Sequence, residues 1–149
     1  MNIIEGNILN AKENIIAHQT NCKGVMGSGV AKYIRDKYPE VYQEYKKHCG
    51  IKDKKTLLGT VQFCKADDGK IIANLFGQYS FGIYKKQTDY DALRKSLEQL
   101  YLYAKENNLT IAFPYKIGCG NGGGKWEIVE KMISDIFKDY PYTFYKYNP

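Results

Sequence analysis

Short apolar runs alternate with amphipathic stretches along this 149-residue chain, and that alternation constrains its fold more than any other feature. Asn2–Glu5 and Ile15–Gln19 read as buried strands. A glycine-punctuated loop, Lys23–Gly29, leads into a helix through about Tyr38, with Val30, Ile34 and Tyr38 on one face. Pro39 suits the first turn of a second helix, which carries Val41, Tyr42 and Tyr45 and ends near Gly50. Two strands, Leu57–Cys64 and Ile71–Phe76, flank the turn signal Asp67-Asp68-Gly69. Thr88-x-x-Asp91 has the form of a capping box, and the helix it opens repeats apolar residues at Tyr90, Leu93, Leu97, Leu100, Tyr101 and Ala104 before Asn107–Asn108 closes it. Thr110–Pro114 reads as a strand, Tyr115–Gly124 as a second glycine-rich loop, Lys125–Lys138 as a helix burying Val129, Met132, Ile133 and Ile136, and Tyr142–Lys146 as a closing strand. Strands alternating with helices imply an α/β fold, its largely parallel or mixed sheet covered on both faces.

The length suits one domain over residues 1–149 and a core large enough to need no covalent staple. No apolar run is long enough to cross a bilayer, and the opening MNIIEGNILN lacks the basic and apolar regions of a secretory signal. A cytoplasmic monomer is the expectation. The four cysteines (Cys22, Cys49, Cys64 and Cys119) are scattered without zinc-knuckle or redox spacing, and there are only two histidines, His18 and His48. Neither a metal, a cofactor nor a disulfide is expected. The formal net charge of +6 favours phosphorylated ligands and polyanions without saying which. Basic residues beside 14 tyrosines keep a nucleic-acid-binding domain open as an alternative.

Two segments share one logic. Gly24-Val25-Met26-Gly27-Ser28-Gly29 follows one strand and opens a helix, and Ile117-Gly118-Cys119-Gly120-Asn121-Gly122-Gly123-Gly124 does the same farther on. Loops between a strand's carboxyl end and a helix N-terminus are where open α/β sheets take ligands. Glycine lets the backbone approach closely and expose its amides to phosphate oxygens. Neither segment is a Walker A motif, and neither matches GxGxxG after the first strand. A single such loop is as easily a structural turn; the pair fits a diphosphate gripped from both sides.

Glu5-Gly6-Asn7-Ile8, then Ala17-His18-Gln19-Thr20-Asn21-Cys22 with Met26-Gly27-Ser28-Gly29-Val30-Ala31, then Phe113-Pro114 with Ile117-Gly118-Cys119-Gly120 resemble, in order, the macrodomain family. The similarity is to the branch of ADP-ribose glycohydrolases, including one acting on DNA-linked ADP-ribose, and of ADP-ribose 1″-phosphate phosphatases. That resemblance implies a three-layer α/β/α sandwich with about six strands, and a ligand that is ADP-ribose or a derivative, free or carried on an ADP-ribosylated macromolecule. Asn7 stands where relatives place an aspartate against the adenine amino group, with the Ile8 amide beside it. Gly27, Ser28, Gly29 and Val30 are implied along the diphosphate and distal ribose, with Asn21 near that ribose. Ile117, Gly118, Cys119, Gly120, Asn121 and Gly122 are implied on the other side. Tyr145 or Tyr147 either lies over adenine or packs on the sheet.

The catalytic groups of the glycohydrolase branch do not carry over. Gln78 takes the place of its lysine and Gly122 that of its aspartate, and an amide cannot form the Schiff base an amine can. The phosphatase comparison leaves His18 as general acid or base, or a water held by Asn21, against the plainer reading of His18 as a core histidine. Cys119 reads as a small loop residue rather than a nucleophile, and Asp89 and Asp91 as helix-capping residues near the ligand rim. Binding of ADP-ribose is therefore the primary expectation, with phosphatase activity ahead of lysine-dependent hydrolysis, and a non-catalytic module sequestering a nucleotide signal as the alternative.

Overall fold

The computed structural model describes residues 2–147. Its sheet has six strands: β1 (Asn2–Glu5), β2 (Ile15–Thr20), β3 (Val61–Lys65), β4 (Ile71–Phe76), β5 (Ile111–Pro114) and β6 (Thr143–Lys146). They lie in the order β1-β6-β5-β2-β4-β3, with every neighbouring pair parallel except β3 with β4. Helices α1 (Gly29–Lys37) and α2 (Pro39–His48) cover one face; α3 (Tyr90–Asn107) and α4 (Trp126–Ile136) cover the other. The chain thus forms the three-layer α/β/α sandwich with a mixed sheet.

Strand alternation divides the core. On β2, Ile15 and Ala17 point into the layer built with Leu93, Leu97, Leu100, Val129 and Ile133, while Ile16 points into the layer holding Ile34, Tyr38 and Val41. β2 is buried along nearly its whole length because it sits between β4 and β5 with helices on both sides. Many tyrosines pack by their ring edges, as Tyr115 does on Trp126 at 5.2 Å and Tyr142 on Phe144 at 5.5 Å.

Several boundaries differ from the sequence reading. Asn2–Glu5 is an edge strand rather than a buried one, with Ile3 42% exposed, since only β6 pairs with it. The strand expected from Leu57 begins at Val61, because Lys54–Leu57 winds into a 3-10 turn capped by Asp53. The capping box at Thr88 is not formed. Asp89 is the N-cap of α3 and accepts from the Ala92 amide at 3.0 Å, leaving the Thr88 hydroxyl to face the loops. Asp91 pairs with Arg94 on the exposed face of the helix. Asn108 closes α3 in the left-handed conformation at φ 55°.

Leu97→Ala, at a fully buried position, should destabilise the fold by about 3 kcal/mol in urea denaturation, whereas Leu102→Ala, 62% exposed on the same helix, should change it by less than about 0.5 kcal/mol.

Candidate nucleotide-binding cleft

Because β2, β4 and β5 run parallel, Thr20, Phe76 and Pro114 end at one edge of the sheet, and the segments leaving them enclose a cavity of about 510 Å³. Gly27, Ser28, Gly29 and Val30 line it from the first glycine loop, Ile117, Gly118, Gly120, Asn121 and Gly122 from the second. The loops touch: Asn121 Nδ2 donates to Ser28 Oγ at 2.8 Å, across 93 residues of sequence. Ser28 is the N-cap of α1 but makes no side-chain cap bond, so it leaves the helix's first-turn amides unclaimed.

Asn21 braces the first loop from within. Its Oδ1 accepts from the amides of Lys23 (3.0 Å) and Val25 (3.3 Å) and from the Tyr45 hydroxyl (3.0 Å), and its Nδ2 donates to the Val25 carbonyl at 2.7 Å. Asn21 is buried and lines the cavity. Its side chain is committed to loop shape, with one N–H of Nδ2 left over.

The second loop is held by a network that the sequence reading did not anticipate. Gln19 Nε2 donates to Gln78 Oε1 at 2.7 Å and to Thr88 Oγ1 at 2.9 Å; Thr88 Oγ1 in turn donates to the Gly118 carbonyl at 2.7 Å. Gln78 Nε2 donates to the Ser80 carbonyl at 2.7 Å, and the Gly122 carbonyl accepts from the amides of both Gln87 and Thr88. A Cβ on Gly122 would lie 2.6 Å from Thr88 Oγ1 and 2.8 Å from the Gly118 carbonyl oxygen, so no side chain fits there. Gln19 sits near the carboxyl end of a buried strand, within the Ala17–Cys22 segment that carries the resemblance, but neither signal announced its bonds to Gln78 and Thr88. Thr88 was masked by its resemblance to a cap.

His18 faces the sheet's other side. Asn74 Nδ2 donates to Gln62 Oε1 at 3.0 Å, which fixes the amide and makes Asn74 Oδ1 the acceptor for His18 Nε2–H at 2.7 Å. Nδ1 then carries a lone pair that no protein group meets. Burial pulls the imidazole down to about 4, against a smaller upward effect of the Asn74 bond, so the ring is neutral at pH 7. Cys119 lines neither cavity, and burial pushes its thiol up to about 11, the reverse of an activated nucleophile.

A second cavity of about 500 Å³ shares Gly29, Val30, Pro114, Tyr115 and Lys116 with the first and extends to Asn7, Ile8, Tyr33, Tyr145, Lys146 and Tyr147. Asn7 Oδ1 accepts from the Leu9 amide at 3.0 Å, capping the 3-10 turn Ile8–Asn10. Tyr145 donates to Glu13 Oε1 at 2.5 Å, which turns its hydroxyl away from a ligand and leaves its ring as wall. Among the described residues, no cluster of three or more metal-binding side chains is present.

The folded His18 titrates below its ordinary value of 6.5, so the unfolded chain binds the extra proton first and stability falls as pH drops from about 6.5 toward 4. The full loss from this group is about 3 kcal/mol. Urea unfolding at about pH 7 and about pH 4.5 should show a smaller acid loss in His18→Gln than in the parent chain, by roughly 2–3 kcal/mol.

The Macro domain family model matches residues 17–133. Over 139 residues the chain is 30% identical to the DNA ADP-ribosyl glycohydrolase of Mycobacterium tuberculosis, covering 91% of this chain and 38% of that protein's length. It is 29% identical over 132 residues to the ADP-ribose 1″-phosphate phosphatase of Candida albicans, covering 84% of this chain and 83% of that one. The solved macrodomain of Mycobacterium tuberculosis DarG superposes with a TM-score of 0.80 at 29% identity, over 97% of this chain and 95% of that one. The chain belongs to the Macro domain family.

Proposed function

We propose that the cleft binds ADP-ribose or a close derivative, with the diphosphate between the two glycine loops, the distal ribose over Gln78 and His18, and the base in the cavity bordered by Asn7, Ile8 and Tyr145. The observation that carries this reading is the bond from Asn121 to Ser28, which brings two glycine-rich turns to one cavity. Their amides supply donors, and glycine leaves room for a diphosphate to approach the backbone. The Mycobacterium and Candida relatives are both named for reactions of ADP-ribosyl or ADP-ribose compounds.

The reading excludes a lysine mechanism at the distal ribose. Gln78 offers an amide there, already tied to Gln19 and Ser80, and Gly122 has no space for a carboxylate. A phosphatase reading rests on a different observation: His18 borders the cavity, and its Nδ1 is buried without a partner. That lone pair could accept from a water or ligand hydroxyl only if one reached it. With its pKa near 4 the ring is a weak base, and at neutral pH it has no second proton to give.

Calorimetry should show binding of ADP-ribose, abolished or weakened by roughly 100-fold in Gly120→Glu, which sets a carboxylate against phosphate. Nothing lies within 4 Å of a Cβ at Gly120, so the fold should be unchanged and the loss electrostatic. Unaltered affinity in that variant sinks the loop assignment. Incubation with ADP-ribose 1″-phosphate separates the two readings: phosphate release that disappears in His18→Ala supports turnover, and binding without release supports a sequestering module.

A further inference from the structure

We propose that Thr88 is the positioning residue of the second glycine loop. Its hydroxyl keeps the Gly118 carbonyl inside the turn, so that the turn offers N–H groups, and not that oxygen, to an anion. The inference rests on the reading that this loop meets a diphosphate. Thr88 is 2% exposed and stands where three segments meet. It forms an isolated bridge with Gln78 beyond β4, its hydroxyl accepts from Gln19 of β2 at 2.9 Å, and that hydroxyl donates to the Gly118 carbonyl at 2.7 Å. The direction of the hydroxyl is set from outside. Gln78 gives its Nε2 to the Ser80 carbonyl, so its Oε1 faces Gln19; Gln19 then turns Nε2 to both Gln78 and Thr88, which leaves the Thr88 proton for Gly118.

The Gly118 oxygen accepts a second bond from the Gly124 amide at 2.9 Å, and a Cβ on either Gly122 or Gly124 would lie 2.8 Å from it. The turn therefore encloses this oxygen, and both its lone pairs are used. The amides of Gly120, Asn121 and Gly122 find no acceptor among the described residues, and all three residues line the cavity. A turn with a carbonyl tucked inside and neighbouring amides unclaimed is a concavity suited to an anion. Valine in place of Thr88 keeps the side-chain shape and the backbone bond to the Gly122 carbonyl. It sets a methyl group against the Gly118 oxygen, which is left with one donor of two. That peptide is then free to turn its oxygen toward the cavity, where it opposes negative charge.

The test measures ADP-ribose affinity by calorimetry, and residue-resolved amide exchange without ligand, on the full chain, on Thr88→Val and on Thr88→Ser. Thr88→Val should weaken binding about tenfold, and Thr88→Ser, which keeps the hydroxyl, should stay within about threefold of the parent. In Thr88→Val the Gly124 amide should exchange about tenfold faster relative to the amides of β2, a local change that a general loss of stability does not produce. Affinity in Thr88→Val within about threefold of the parent overturns the proposal, as does a serine variant as weak as the valine one. Acceleration spread evenly over the β2 and Gly124 amides also overturns it, since Thr88 then acts on the whole fold. If the parent chain binds no ADP-ribose, the nucleotide reading of the cleft falls and the anion role of the turn falls with it. The exchange comparison still decides whether the Thr88 hydroxyl holds the turn.

Discussion

Parallel pairing of β2 with β4 on one side and β5 on the other is the constraint from which the site follows. It obliges three strands to finish at the same edge, so the chain must leave that edge three times in neighbouring places. Two of those departures are the glycine loops, and the third is the segment that begins at Gly77 and returns at Thr88 to open α3. The sheet decides where the cavity is. The glycines decide what chemistry faces it, by replacing side chains with backbone amides.

Between the loops, the polar groups have been arranged around amides and hydroxyls instead of charges. Gln19, Gln78 and Thr88 form a chain of neutral hydrogen bonds ending on the Gly118 carbonyl. Such a network fixes loop shape and presents donors, but it offers no amine nucleophile and no anionic partner. His18 follows the same pattern on the opposite face of β2: buried, neutral and held by an amide. On the proposed reading, the neutrality of the interior leaves the basic surface and the loop amides to meet a ligand's charge.

Most of the fold was legible because periodicity and punctuation agreed. Ile15–Gln19 announced a buried strand, Ile71–Phe76 announced its type, and the Tyr90–Ala104 repeat announced both its type and its buried face. The errors arose where local chemistry has two uses. Thr88 looks like a cap in sequence and acts as a bridge in space, because Asp89 reaches the helix N-terminus from the next position. Leu57 looks like strand but ends a 3-10 turn capped by Leu58, and the Thr60 hydroxyl donates to the Leu57 carbonyl at 2.7 Å. In the site, glycine loops were visible as composition, whereas Gln19 was not: its role depends on partners 59 and 69 residues away. The direction in which Asn7 points was equally hidden, since it is set by the Leu9 amide rather than by residue type.

The paired amides of Gln87 and Thr88 on the single carbonyl of Gly122 join the segment that opens α3 to the second glycine turn, alongside the Thr88 hydroxyl bond to Gly118. Neither amide can exchange with solvent unless Gly122 lets go, so the excursion bearing Phe81, Ile83 and Tyr84 and the second glycine turn breathe as one cooperative unit. A molecule that stills the turn therefore also quiets the excursion, two of whose apolar side chains, Phe81 and Ile83, border the same cavity.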